Sequence, residues 1–227
     1  MRALLTALSS AVLALPALSQ QLTVSPILVD APAEGGATSI SIGSTLERTV
    51  TMQVRVFGWD QDGGADRYTP ARAVRFAPEI FRLEPGATQI VRMLVPDTGG
   101  TGAWRIVIDE LPQKSEAPTS ATAARLNIRL QYILGMFAGD AGSEADLRID
   151  AEAGTVALVN DGDGYLRLHA LAFETSDGDI VPASQSIAYV LPWSSLILPL
   201  PADRPDIHAL RYAIGQTPYA AELGGRQ

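Results

Sequence analysis

Residues 126–136 read Leu-Asn-Ile-Arg-Leu-Gln-Tyr-Ile-Leu-Gly-Met, with an apolar side chain at every second position. Strand side chains point alternately to opposite faces, so Leu126, Ile128, Leu130, Tyr132, Leu134 and Met136 share one face of a β-strand. The other face carries Asn127, Arg129 and Gln131 before turning apolar at Ile133. Strands commonly run about five or six residues, so this one is long. Such a strand serves either as part of a core or as an edge offered to another chain.

The surrounding sequence is β throughout, without a convincing amphipathic helix. Leu22–Val29, Ser39–Ile42, Thr49–Phe57, Ala73–Phe76, Gln89–Val95, Ala103–Leu111 and Leu126–Phe137 alternate or are rich in β-branched residues. Turn clusters separate them: Ala31 to Gly36, Asp60 to Gly64, Glu84-Pro85-Gly86 and Asp97 to Gly100. Short strands punctuated in this way predict an antiparallel sandwich. Pro26 lacks an N–H and belongs at an edge or a kink. Gln113 to Ala124 is polar, small and proline-bearing, and reads as a mobile loop leading into the long strand. After Phe137, the run Ala138 to Asp146 marks a boundary. Further strands follow at Leu147–Ile149, Thr155–Asn160, Leu166–Glu174, Ile187–Val190, Ser195–Leu200 and Ala209–Ile214. The expected division is a signal segment at 1–19, a first sandwich at 20–139 and a second at 140–227.

The signal segment rests on Met1-Arg2, an apolar run from Ala3 to Leu18 broken at Ser9, Ser10 and Pro16, and the small-x-small ending Ala17-Leu18-Ser19. That anatomy predicts export and cleavage near Ser19–Gln20. A spanning helix needs about 20 apolar residues, more than this run supplies. With no cysteine in the chain, neither lipid attachment at the cleavage site nor a disulfide is available. Seventeen basic residues stand against 25 acidic ones, a net charge of −8 without a basic run. Nucleic acid, anionic lipid and membrane insertion are therefore not expected.

Catalytic and metal signals are weak. Asp60, Asp62 and Asp66, or Asp161 and Asp163, invite a calcium reading. An EF-hand loop begun at Asp60 meets Gly64 at its fifth position and Ala71 at its twelfth, and one begun at Asp161 fails at Tyr165. Asp-Gly is a strong hairpin-turn signal, and the turn reading is preferred. His169 and His208 have no acidic partner nearby in sequence, and no nucleophile elbow, zincin helix or phosphate loop occurs. No enzyme, cofactor or metal is expected. Arg55, Arg92 and Arg105 each interrupt a strongly apolar strand. Alternation sends each of them either to solvent or into a cleft, where a guanidinium binds a carboxylate with paired donors.

Three segments together resemble periplasmic pilus-assembly chaperones: Val54 to Tyr68 (VRVFGWDQDGGADRY), Pro78 to Arg92 (PEIFRLEPGATQIVR) and Trp104 to Pro112 (WRIVIDELP). The 126–137 strand follows where that family places its donor strand, and Ala157 to Leu168 and Ala188 to Ser195 are similar as well. The string RVFxWxQDG resembles the archaic branch. The resemblance implies an all-β fold of two immunoglobulin-like domains set as a boomerang around a cleft. It also implies partners: pilus subunits that lack their final strand, and an outer-membrane usher that receives them. Leu126, Ile128, Leu130, Tyr132, Leu134 and Met136 would be the donor side chains. The better-known branch holds the subunit's terminal carboxylate with an arginine and a lysine at positions that are Leu28 and Gly135 here. Arg105 is then the expected anchor, with Arg92 and Arg55 behind it. The alternative from a different class is an exported immunoglobulin-like structural pilus subunit or adhesin. Such a subunit would carry its alternating extension at the N-terminus rather than mid-chain.

Overall fold

Alternation decides the layers. In strand β4 (Val50–Asp62), Val50, Met52, Val54 and Val56 are buried, and Thr51, Gln53 and Arg55 face outward. Strand β9 (Gly102–Leu111) repeats the pattern, with Trp104, Ile106 and Ile108 inward and Arg105, Val107 and Asp109 outward. The structure is a computed structural model that describes residues 21–112, 129–142, 146–152 and 154–224.

Two sheets form the first sandwich. One orders β1 (Leu22–Ser25), β3 (Gly36–Ser44), β8 (Thr88–Val95) and β6 (Arg75–Ala77). The other orders β2 (Leu28–Ala31), β10 (Gln131–Ala138), β9, β4 and β5 (Ala65–Pro70), with β7 (Ile80–Leu83) also on β4. Their inner faces close over Ile40, Ile42, Met52, Val54, Val91, Met93, Ile106, Ile108 and Met136. The single strand expected over Leu22–Val29 is two strands. The chain breaks at Pro26 and crosses from one sheet to the other, as a residue without an N–H permits.

The second sandwich sets β11 (Leu147–Glu152), β12 (Thr155–Asn160) and β16 (Ser194–Pro199) against a second sheet. That sheet orders β14 (Ile180–Pro182), β13 (Leu166–Thr175), β17 (Ile207–Ile214) and β18 (Thr217–Glu222), with β15 (Ile187–Val190) pairing β13. Its core is separate, around Leu158, Leu166, Leu168, Phe173 and Leu210. No helix among the described residues is long and apolar enough to cross a membrane.

Strands β5, β7, β14 and β18 escape the sequence reading. Every residue of β5 is exposed, so no apolar period marks it, and β14 is three residues long. The aspartate clusters are turns with committed carboxylates. Asp62 pairs with Arg67 at 2.8 Å, and Asp161 with Arg148 at 3.2 Å. The fully buried Asn160 amide closes the second turn, donating to Gly164 O at 2.7 Å and accepting from Gly162 N at 3.0 Å.

A third, smaller cluster joins the two sandwiches. Trp59 and Phe137 point outward from the first sandwich by strand parity, yet both are 2% exposed. Tyr165, Tyr189 and Leu191 of the second sandwich cover them. Phe137 stacks on Tyr165 with ring centroids 3.9 Å apart, and Trp59 meets Tyr189 edge-on at 5.5 Å. Gln61 fastens the same seam with its one amide, donating to Tyr189 O and accepting from Leu191 N, both at 2.8 Å. Beside it, Ile197 N donates to Gly64 O at 2.9 Å.

Candidate functional site

Strand β10 is paired unevenly. On one side β9 accompanies it from Gln131 to Ala138; on the other, β2 reaches only Gly135 to Ala138. From Gln131 to Leu134, that second edge has no neighbour among the described residues. Its outward N–H and C=O groups form a template on which another chain's strand can pair.

The side chains of this strand divide sharply. Leu134 and Met136 lie inside the first core at 5% and 0% exposure, where neither reaches a partner without opening the sandwich. The six alternating residues expected as donors therefore do not share one environment: where β10 lies between β2 and β9, its inward face covers the opposite sheet. Tyr132 and Leu130 pack at the rim of that core, and Tyr132 Oη donates to Leu22 O at 2.7 Å. Leu126, Ile128 and the loop 113–124 lie outside the described residues.

The outward face of the same sheet forms a recess of about 370 Å³ lined by Arg55, Phe57, Tyr68, Arg105, Val107, Gln131 and Ile133. Ile133 is largely exposed there, beside the open edge. The three expected arginines meet different fates. Arg92 sits on the outer face of the opposite sheet, opposite Ser39 and Ala77, and takes no part in the recess. Arg55 is in the recess but committed to Asp109 at 2.7 Å. Arg105 has no carboxylate partner among the described residues. Its guanidinium carbon lies over the Trp59 indole, 3.4 Å from the ring centroid, and 5.1 Å from that of Tyr189. Its Nε is buried without a hydrogen-bond partner, which leaves the terminal nitrogens to do its hydrogen bonding.

Tyr68 borders Arg105 and donates its hydroxyl to Asp66 at 2.8 Å. Burial, and then the Asp66 carboxylate, raise the phenol above its ordinary pKa, while the Arg105 charge opposes them. Asp66 is held in turn by Gln61 Nε2 at 2.8 Å, the same amide that binds the second sandwich. The recess can therefore take an apolar side chain against Phe57, Val107 and Ile133 and a carboxylate at Arg105.

Residues 21–139 match the model of the pili and flagellar-assembly chaperone family, PapD N-terminal domain. The chain belongs to that family. Among curated proteins, none matches the chaperone in sequence. Among solved structures it resembles the Csu pilus chaperone of Acinetobacter baumannii, CsuC, in its pre-assembly complex with the tip subunit CsuE. The two share 20% identity, with 79% of this chain and 90% of that one covered, and a TM-score of 0.61. The SafB chaperone of Salmonella enterica, solved with the SafA pilin, is 17% identical over 89% of this chain and 96% of that one, TM-score 0.62. The CupB2 chaperone of Pseudomonas aeruginosa is 15% identical over 89% and 100%, TM-score 0.60. At these identities the likeness is one of fold: two immunoglobulin-like sandwiches meeting at a cleft.

The chaperone's glycine at position 135 has a steric cause. A Cβ there would lie 2.5 Å from Phe137 Cε2, because the Phe137 ring leans across Gly135 to reach the second sandwich. Gly135→Lys is expected to displace that ring and to destabilise the protein by about 1–3 kcal/mol, the usual cost of overpacking. Thermal melts check this; an unchanged midpoint would show that the ring has room to move.

Proposed function

We propose that the protein is a periplasmic chaperone that captures pilus subunits by donor-strand complementation and passes them to an outer-membrane usher. The observation that carries this is the open edge of β10 from Gln131 to Leu134, continuous in sequence with the apolar alternation at Leu126, Ile128 and Leu130. A subunit lacking a strand exposes both a groove and unpaired backbone, and this segment supplies ladder partners and side chains together. Each donor side chain buried in that groove contributes about 1.5–3 kcal/mol before the segment's ordering is subtracted. The donor set in this reading is Leu126, Ile128 and Leu130, with Tyr132 at its margin. The subunits bound in the CsuC and SafB structures support this partner class. Exported chaperones of the family act in the periplasm, in keeping with a segment 1–19 removed on export and sandwiches spanning 20–139 and 140–227. Arg105 serves as the carboxylate anchor, since Arg55 is neutralised by Asp109 and Arg92 lies on the other sheet.

Co-expression with a pilus subunit from the same gene neighbourhood, followed by purification through a tag on the chaperone, tests the anchor. Arg105→Ala is expected to reduce recovered complex about tenfold or more, the loss of a charged hydrogen-bonding group, while the free chaperone stays folded. Undiminished recovery removes Arg105 from the site. N-terminal sequencing of the periplasmic protein should begin near Gln20 or Gln21; a retained Met1 would refute cleavage.

A further inference from the structure

We propose that Arg167 is a second cationic arm of the carboxylate site, so that a partner's carboxylate is held by one guanidinium from each sandwich. This rests on Arg105 being the anchor, and extends it to a residue on the other side of the cleft.

Arg167 lies on β13, directly opposite Tyr189 on β15, so the two side chains share the outward face of the second sandwich. Its Nε donates to Tyr189 Oη at 3.1 Å, and its guanidinium carbon is 6.0 Å from the ring centroid. Arg105 approaches the same ring at 5.1 Å from the first sandwich. One tyrosine thus borders two guanidiniums from different domains, both partly buried. Arg48, Arg55, Arg67, Arg148, Arg204 and Arg211 each have a carboxylate within ion-pair distance. Arg72, Arg75, Arg82, Arg92, Arg105, Arg129 and Arg167 have none among the described residues, and of these Arg105 and Arg167 border a common ring.

Two guanidiniums bordering one half-buried ring, neither in a direct ion pair among the described residues, repel each other, and an arriving anion relieves that repulsion. A carboxylate has about four lone-pair directions, enough to accept from both guanidiniums at once. The Tyr189 hydroxyl holds Arg167 by Nε, and its terminal nitrogens make no hydrogen bond among the described residues. The alternative role for Arg167 is mechanical, propping Tyr189 against Trp59 and Phe137.

The test uses the full mature chaperone, 15N-labelled, with the arginine Nε–H resonances assigned through the Arg105→Gln and Arg167→Gln variants. It is titrated with N-acetyl-leucine, N-acetyl-leucinamide and the α-amide of N-acetyl-aspartate, whose only carboxylate is the side-chain one. The expected result is that the free acid shifts both arginine resonances with one dissociation constant, and leucinamide shifts neither. Arg167→Gln should weaken the acid about tenfold, with an unchanged melting midpoint, and Arg167→Lys should recover part of that loss. An equal response to the aspartate α-amide extends the clamp to side-chain carboxylates; a response to N-acetyl-leucine alone assigns it to chain termini. A shift confined to Arg105, or an Arg167→Gln variant that keeps full affinity, overturns the second arm and leaves Arg105 standing. No shift at either arginine overturns both.

Discussion

Replacing Ile128 and Leu130 together by aspartate is expected to lower the recovery of subunit complexes about a hundredfold or more. Each substitution removes a buried side chain worth about 1.5–3 kcal/mol and puts a carboxylate where the groove is apolar. The free chaperone should keep most of its stability, because Leu130 packs only at the rim of the core. Leu134→Asp is the contrasting variant. Leu134 is a core residue, so its loss should appear as unfolding of the chaperone before any question of binding arises. Melting each variant alone and then assaying co-purification separates the two. If Ile128→Asp with Leu130→Asp leaves recovery untouched, the donor segment lies elsewhere.

Phe137→Ala should produce the largest loss of stability among single substitutions outside the two main cores. The ring stacks on Tyr165 at 3.9 Å and lies 5.5 Å from both Trp59 and Tyr189. Truncating a buried phenylalanine costs about 3–5 kcal/mol, and in a chain of this size each kcal/mol lowers the midpoint by about 2–4 °C. The wild-type protein should melt in one transition, and the variant in two as the sandwiches uncouple. A single transition at the parental temperature would show that the aromatic cluster does not join the domains energetically.

The sandwich strands were largely legible because burial on one face leaves a period of two in the sequence. Thr155–Asn160 has the same bounds in its sequence pattern and in the structure for that reason. Strand β5, wholly exposed, carried no such signal. The six alternating positions read alike in sequence, because period alone does not separate a face that meets the chain's own second sheet from one that extends beyond it. The arginines show the same limit. Arg55, Arg92 and Arg105 have equivalent sequence surroundings, and only tertiary neighbours distinguish them: Asp109 for the first, the opposite sheet for the second, an indole face for the third. Arg167 carries no signal of its own within the strand read at Leu166–Glu174. Its one distinguishing feature, a tyrosine directly across the ladder, depends on a pairing that the sequence does not declare.

Gln61 gives the molecule a property beyond adhesion between its halves. Its single amide binds Asp66 of the first sandwich and both Tyr189 and Leu191 of the second. The Arg105–Trp59 stack, the Tyr68–Asp66 bond and the seam are thereby referenced to one side chain, and the docking geometry exists before any partner arrives. Preorganisation of this kind spares the entropy of hinge closure at capture. Free and loaded chaperone should then give superimposable small-angle scattering profiles once the partner's own mass is accounted for. The angle between the two sandwiches should therefore stay the same at capture, whatever the donor segment does.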